Sequence, residues 1–290
     1  MKRLTVVFAA IAAAAIGCDM NKIDPGGGAS SPSVVSLRGE PVVPDAVDDP
    51  DDGDGVDVVK GPPGTLTGRV VLEGAGPTLA ALVAKGTSKV DPTVCAKDGA
   101  IPDQSFVVSP DGGIANVFIY LAKSPKPPEG GFELPEKQTV LDQAGCVFTP
   151  HALIWRAGAP VELKNGDNAT HNIQLLTSRN DPSNDNMPPG SNAIKTFAKT
   201  EKAPFKATCA IHGWMEFRAL VVDHPYAAVT DKDGRFEISN LPAGEHSFRV
   251  WHEKVPGKTG MLESKWKVVV KPGPDVTTEE LKYAASKFDL

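Results

Sequence analysis

Positive charge is what this chain of 290 residues lacks: 30 Lys and Arg stand against 36 Asp and Glu, a formal net charge of −6. No basic patch with interleaved aromatics occurs, which argues against nucleic acid as a partner. Aromatics are 6% and hydrophobics 41% of the chain, an ordinary soluble composition. Long apolar runs are also missing. The longest, Leu4 to Ile16, is too short to cross a bilayer as a mature helix. Helical patterning is almost absent. One stretch qualifies, where Thr277-Thr278-Glu279-Glu280 reads as a capping box before Leu281, Ala284, Ala285 and Phe288 on one face. The acidic run Asp48 to Asp54 lacks the ligand spacing of a calcium loop and reads as solvated linker.

The chain opens on a targeting signal. Lys2 and Arg3 precede the apolar run, which ends Ala15-Ile16-Gly17-Cys18. That ending resembles the lipobox of bacterial lipoproteins, and cleavage would leave Cys18 carrying lipid. Residues 1–18 are therefore expected to be a lipoprotein signal peptide. An ordinary signal peptide with an incidental cysteine is the alternative. Residues 19–63, rich in Gly, Ser, Pro and Asp, cannot build a core and read as a tether.

From Thr65 onward the chain reads as short strands bounded by turns, an all-β pattern of sandwiches. The expected strands are 67–72, 115–121, 139–141, 152–155, 160–164, 171–176, 205–209, 217–222, 227–230, 235–238, 247–251 and 265–270. The stretch Ser178 to Asn192 reads as a long loop.

Within this pattern, Cys209-Ala210-Ile211-His212-Gly213-Trp214-Met215 places a thiol, an imidazole and a thioether in one short run. Soft ligands disfavour magnesium and calcium, zinc rarely uses Met, and a His₂Cys set with a weak axial Met is an electron-transfer copper geometry. The second imidazole has to come from elsewhere. His171 qualifies, since it begins a strand after the turn 165–170 and can face the Cys209 loop from the same end of a sandwich. Four cysteines occur in all. With Cys18 on lipid and Cys209 on metal, Cys95 and Cys146 remain, and an exported protein favours a disulfide between them. Two separate buried thiols are the alternative.

His171-Asn172 followed by Cys209-x-x-His212-x-x-Met215 resembles the cupredoxins, and the short ligand loop is most similar to that of amicyanin. Phe148-Thr149-Pro150 and Val161-Glu162-Leu163-Lys164-Asn165 are similar to the plastocyanin/amicyanin pattern too. The resemblance covers residues 138–223. It implies a Greek-key sandwich with one type 1 copper on His171, Cys209, His212 and Met215, and one-electron transfer. It further implies that Asn172 ties the two ligand loops together, and that a solvent-near His212 imidazole is the electron exit. Gly213 and Trp214 stand where amicyanin has Pro and Phe, a departure that leaves the four ligand positions intact.

A second resemblance lies outside that range. Val229-Thr230-Asp231-Lys232-Asp233-Gly234-Arg235-Phe236 and the turn Pro242-Ala243-Gly244 resemble the carboxypeptidase regulatory-like, or transthyretin-like, β-sandwich. Its first half is matched far upstream, by Gly68-Arg69-Val70 and Ile114–Leu121. The expected organisation is this sandwich split over 64–124 and 225–290, with the copper domain inserted as 138–223. Three sequential domains are the rival. His151, His224 and His252 have no spaced partner and leave open a second metal site. His246 reads as a solvated turn residue.

The leading expectation is a membrane-anchored type 1 copper protein passing single electrons to a redox protein partner, on the periplasmic or extracellular face of the cell membrane, and not an enzyme. The alternative is a non-redox copper-binding or structural, partner-binding surface lipoprotein.

Overall fold

A computed structural model describes residues 61–290. The expected signal peptide, Cys18 and nearly all of the expected linker lie outside the described residues. Among the described residues, no helix is long and apolar enough to cross a membrane.

The strands form four sheets packed as two sandwiches. In the first, β1 (Gly64–Glu73) lies between β13 (Arg235–Leu241), antiparallel to it, and β16 (Val276–Ala284), parallel to it. The facing sheet runs β12 (Ala227–Val229), β2 (Phe118–Leu121), β14 (Gly244–Trp251), β15 (Met261–Val270). Leu66, Val70, Ile119, Phe236, Ile238, Phe248, Val250 and Val268 fill the space between. Strands from the start of the described chain thus pair with strands from its end. The turn between β12 and β13 needs glycine at Gly234. Its φ is +76°, and a Cβ there would collide with the backbone oxygen of Val70.

The intervening chain makes the second sandwich. One sheet runs β5 (Ala152–Arg156), β11 (Glu216–Val222), β10 (Phe205–Thr208), β7 (His171–Leu175), β8 (Ser183–Met187). The other runs β4 (Phe148–Thr149), β3 (Thr139–Gln143), β6 (Pro160–Asn165), β9 (Asn192–Thr196). Trp155 anchors this core, stacked on Phe197 with ring centroids 4.7 Å apart and flanked by Phe205 and Phe217.

The two sandwiches meet through the outer faces of one sheet from each. Phe118, Tyr120, Ala152, Leu220, Val222 and Trp251 form a third apolar cluster there. This explains why β2 and the end of β11 are continuous apolar runs rather than alternating ones: both faces are covered. Ile119 points into the first core while Phe118 and Tyr120 point at the neighbouring sandwich. A largely buried polar triad sits at the same junction. Glu253 accepts from Arg218 Nε at 3.0 Å and pairs with His151 Nε2 at 2.5 Å.

Three expectations are corrected. The tail is a strand in place of the expected helix: residues 276–284 form β16, in continuous parallel register with β1 from Thr65↔Val276 to Glu73↔Ala284, and only Ala285–Lys287 make a single 3-10 turn. Tertiary pairing overrides the capping-box signal, and the β-branched Val276, Thr277 and Thr278 suit a strand. The stretch 178–192 is not one loop, because it contains β8, hydrogen-bonded to β7. Its polar sequence, Ser183-Asn184-Asp185-Asn186-Met187, hides a strand at a sheet edge. His246 is buried rather than solvated, and its Nε2 lies 2.6 Å from the Pro242 oxygen.

Candidate metal centre

Two loops at one end of the second sandwich carry the site. The first is the turn 165–170, built around the buried Asn165. Its Nδ2 donates to the Ala169 and Met187 oxygens at 2.8 Å each, and its Oδ1 accepts from Asp167 N at 3.0 Å. That wrapping delivers His171 at the start of β7. The second loop leaves β10 at Cys209 and re-enters at β11. Cys209 N donates to Met215 O at 3.1 Å and Met215 N to His212 O at 2.8 Å, which folds the seven residues into a closed turn.

His171, Cys209 and His212 come together at the loop ends, all buried. The two imidazole Nδ1 atoms are 2.9 Å apart, and Cys209 Sγ is 3.7 Å from His212 Nδ1. Each far nitrogen meets a carboxylate. His171 Nε2 donates to Asp167 Oδ2 at 2.9 Å, and His212 Nε2 donates to Asp91 Oδ2 at 3.0 Å. A carboxylate only accepts, so each Nε2 holds its hydrogen and each Nδ1 presents a lone pair. Two lone pairs facing each other at 2.9 Å repel unless a proton or a metal ion lies between them.

The sulfur is prepared as an anion. Backbone N–H groups of His212 and Asn172 point at Cys209 Sγ from 3.4 and 3.5 Å. Burial opposes the thiolate, but the two neighbouring imidazoles and the hydrogen bonds from these two amides outweigh it and bring the thiol down to about 5. Burial likewise opposes charge on His171, yet Asp167 and Cys209 raise it to about 9. Carboxylate and thiolate together favour a positive charge between the two imidazoles. The same charge arrangement suits a soft cation.

Met215 is buried in the same core. Asn172 Oδ1 accepts from Ala210 N at 2.7 Å and lies 3.3 Å from Cys209 Sγ, so this side chain joins the start of β7 to the 209–215 loop. Cys95 and Cys146 form a disulfide, both halves buried, with Cα atoms 5.4 Å apart. Cys209 is the free cysteine among the described residues. Every cluster of three possible metal ligands found among the described residues involves His171 or His212. His151 is paired with Glu253, while burial pushes His224 and His252 down to about 4 against the pull of neighbouring acids.

No protein-family model matches this chain, and no curated protein does. Solved structures overlap part of it. A copper-containing nitrite reductase from Thermus scotoductus SA-01 overlaps 34% of this chain and 27% of its own length, at 20% identity and a TM-score of 0.28. The chain therefore spans about a quarter of that reductase. A purple cupredoxin from Nitrosopumilus maritimus overlaps 29% of this chain and 100% of its own, at 18% identity and a TM-score of 0.25. An oxidised amicyanin variant overlaps 31% of this chain and 87% of its own, at 18% identity and a TM-score of 0.27. Scores this low describe partial overlap, so the reading of the site rests on this chain's own donor geometry.

One expectation about the site is overturned. His212 is not solvent-near: it is 0% exposed, with its Nε2 edge closed by Asp91. The covering segment comes from the β1–β2 connection of the other sandwich, whose Cys95, Ala96 and Ile101 are buried in the core of the second. Asp91 and Asp167 are the residues that sequence reasoning missed. Asp167 had a usable signal, since it stands four residues before His171. Asp91 had none, lying 121 residues from His212.

Proposed function

We propose that this chain is a copper protein that transfers single electrons, in which His171, Cys209 and His212 would hold the metal and Met215 would be the weak fourth ligand. The observation that carries this reading is the pair of Nδ1 lone pairs, 2.9 Å apart, beside a cysteine whose environment favours the thiolate. Bound copper would supply a Cu(II)/Cu(I) couple, which soft thiolate and imidazole donors suit. The chain's own residues supply the rest. The turn at 165–170 and the closed 209–215 loop hold the donors in place, so little has to move between oxidation states. Asn172 keeps the loops in register. His171, Cys209, His212 and Met215 are all buried.

The setting is proposed with it. The copper domain, 138–223, is read as inserted between the halves of the regulatory-like sandwich, and the strand pairing of 64–121 with 227–284 supports this. The chain would be held to a membrane by lipid on Cys18, on the periplasmic or extracellular side, and would serve a redox protein partner rather than catalyse a reaction. The burial of His212 moves that partner's contact away from the imidazole edge. Half-buried Trp214 lies on the same loop, its ring centroid 5.2 Å from that of His212.

A second reading is copper holding without electron transfer. It is favoured by the same closed His212 edge, since a covered ligand set retains its ion. Copper loading separates the two. The redox reading predicts an intense visible charge-transfer band and reversible one-electron titration, whereas a colourless copper-loaded protein would leave only the holding role.

A further inference from the structure

The two carboxylates behind the imidazoles are not independent. Asp91 Oδ2 accepts from His212 Nε2 at 3.0 Å, and the Asp91 carbonyl accepts from Cys95 N at 2.8 Å. Cys95 is bonded to Cys146. Cys146 N then donates to Asp167 Oδ2 at 2.8 Å, and the same oxygen accepts from His171 Nε2 at 2.9 Å. A closed circuit runs from one ligand imidazole to the other: His212, Asp91, Cys95, Cys146, Asp167, His171. The disulfide is its covalent centre, and both sulfur atoms lie within 4.8 Å of a His212 ring nitrogen. Trp214 Nε1 ties the ligand loop to the same arm by donating to the Cys146 carbonyl at 2.9 Å.

The backbone is bent to make this circuit. Five described residues other than glycine have positive φ; two of them, Asp91 at +45° and Cys146 at +59°, belong to it, and a third, Ala96 at +54°, directly follows Cys95. Alanine and cysteine gain nothing from this region of backbone space, so the surrounding structure holds them there. The two arms also come from different sandwiches. Asp167 belongs to the copper-end turn, while Asp91 belongs to the long β1–β2 connection.

We propose that Asp91 and Asp167 form a disulfide-tied carboxylate bracket that positions His212 and His171 for the metal and tunes it, the first sandwich supplying one arm of the second sandwich's site. They are positioning residues, because each acts through the imidazole that it holds. The proposal rests on the copper reading above. A carboxylate behind an imidazole fixes its tautomer, leaves Nδ1 as the donor and raises its basicity. Stronger donors and two nearby negative charges favour Cu(II) over Cu(I), so the bracket lowers the reduction potential.

The test uses the full chain and the substitutions Asp91→Asn and Asp167→Asn. Asparagine keeps the acceptor oxygen and the shape but removes the charge. Each substitution is expected to weaken Cu(II) binding by about 10- to 100-fold, and a tenfold loss confined to Cu(II) raises the potential by about 59 mV. A purely structural role predicts an unchanged potential, and that result, found in both variants, overturns the proposal. A second arm needs no metal. In the metal-free protein, NMR of the imidazole Nε2–H protons is expected to show slow exchange with water for His171 and His212. Asp167→Ala and Asp91→Ala should each speed exchange at their own imidazole. Unchanged exchange in both alanine variants also overturns the bracket. A wild-type protein that fails to take up copper refutes the function proposed above, while the metal-free arm still decides the bracket.

Discussion

His252 offers a quantitative test of how the core of the first sandwich is packed. Its ring is fully buried, edge-on to Phe106 and Phe288 with centroids 5.5 Å away in each case. Its Nδ1 accepts from Lys254 N at 3.1 Å. Burial outweighs the attraction of Glu253 and pushes the imidazole down from 6.5 to about 4. A histidine depressed in this way is neutral when folded and binds a proton more readily when unfolded. Its contribution to stability is therefore complete above pH 6.5 and is lost as pH falls toward 4. Between pH 7 and pH 5, this one group should cost about 2 kcal/mol. Urea unfolding of wild type and His252→Gln at both pH values isolates it. The variant is less stable throughout, because it loses the ring packing, but its loss between pH 7 and pH 5 should be smaller than that of wild type by about 2 kcal/mol. Equal losses in the two proteins would refute the reasoning. Other titrating groups, including the similarly depressed His224, are common to both chains and cancel in the comparison.

Two further outcomes follow from the packing. Glu253→Ala strands Arg218 and His151 at the junction of the sandwiches, and breaking such a buried pair costs about 3–5 kcal/mol. Chemical denaturation measures this, and a loss below about 1 kcal/mol would place the triad with surface ion pairs. Trp155→Ala removes the largest fully buried side chain, stacked on Phe197, and should cost about 3–5 kcal/mol by thermal unfolding.

Much of this architecture was legible in the chain because period-2 apolar runs bounded by turn residues have few other readings. The alternation of Phe236 and Ile238 after Asp233-Gly234 is an example. What escaped notice depended on partners distant in sequence. Residues 276–284 carry both a capping-box signal and β-branched residues, and only the open edge of β1 decides between helix and strand. β8 is polar because it lies at a sheet edge, where one face needs no burial. At the site, the ligand types and their spacing within 209–215 were readable, and His171 could be placed from its position after a turn. The Asp91 arm was not, because nothing local marks an aspartate in a connecting segment as the partner of a histidine 121 residues away. The same blindness produced the mistaken expectation of a solvent-near His212.

The most direct test of the central claim is the optical and EPR spectrum of the copper-loaded full chain, beside that of Cys209→Ser. The account predicts an intense visible thiolate-to-copper band and an EPR signal from a single Cu(II) centre in wild type, with the band lost in the variant. A wild-type protein that binds no copper, or a band that survives replacement of Cys209, would contradict it.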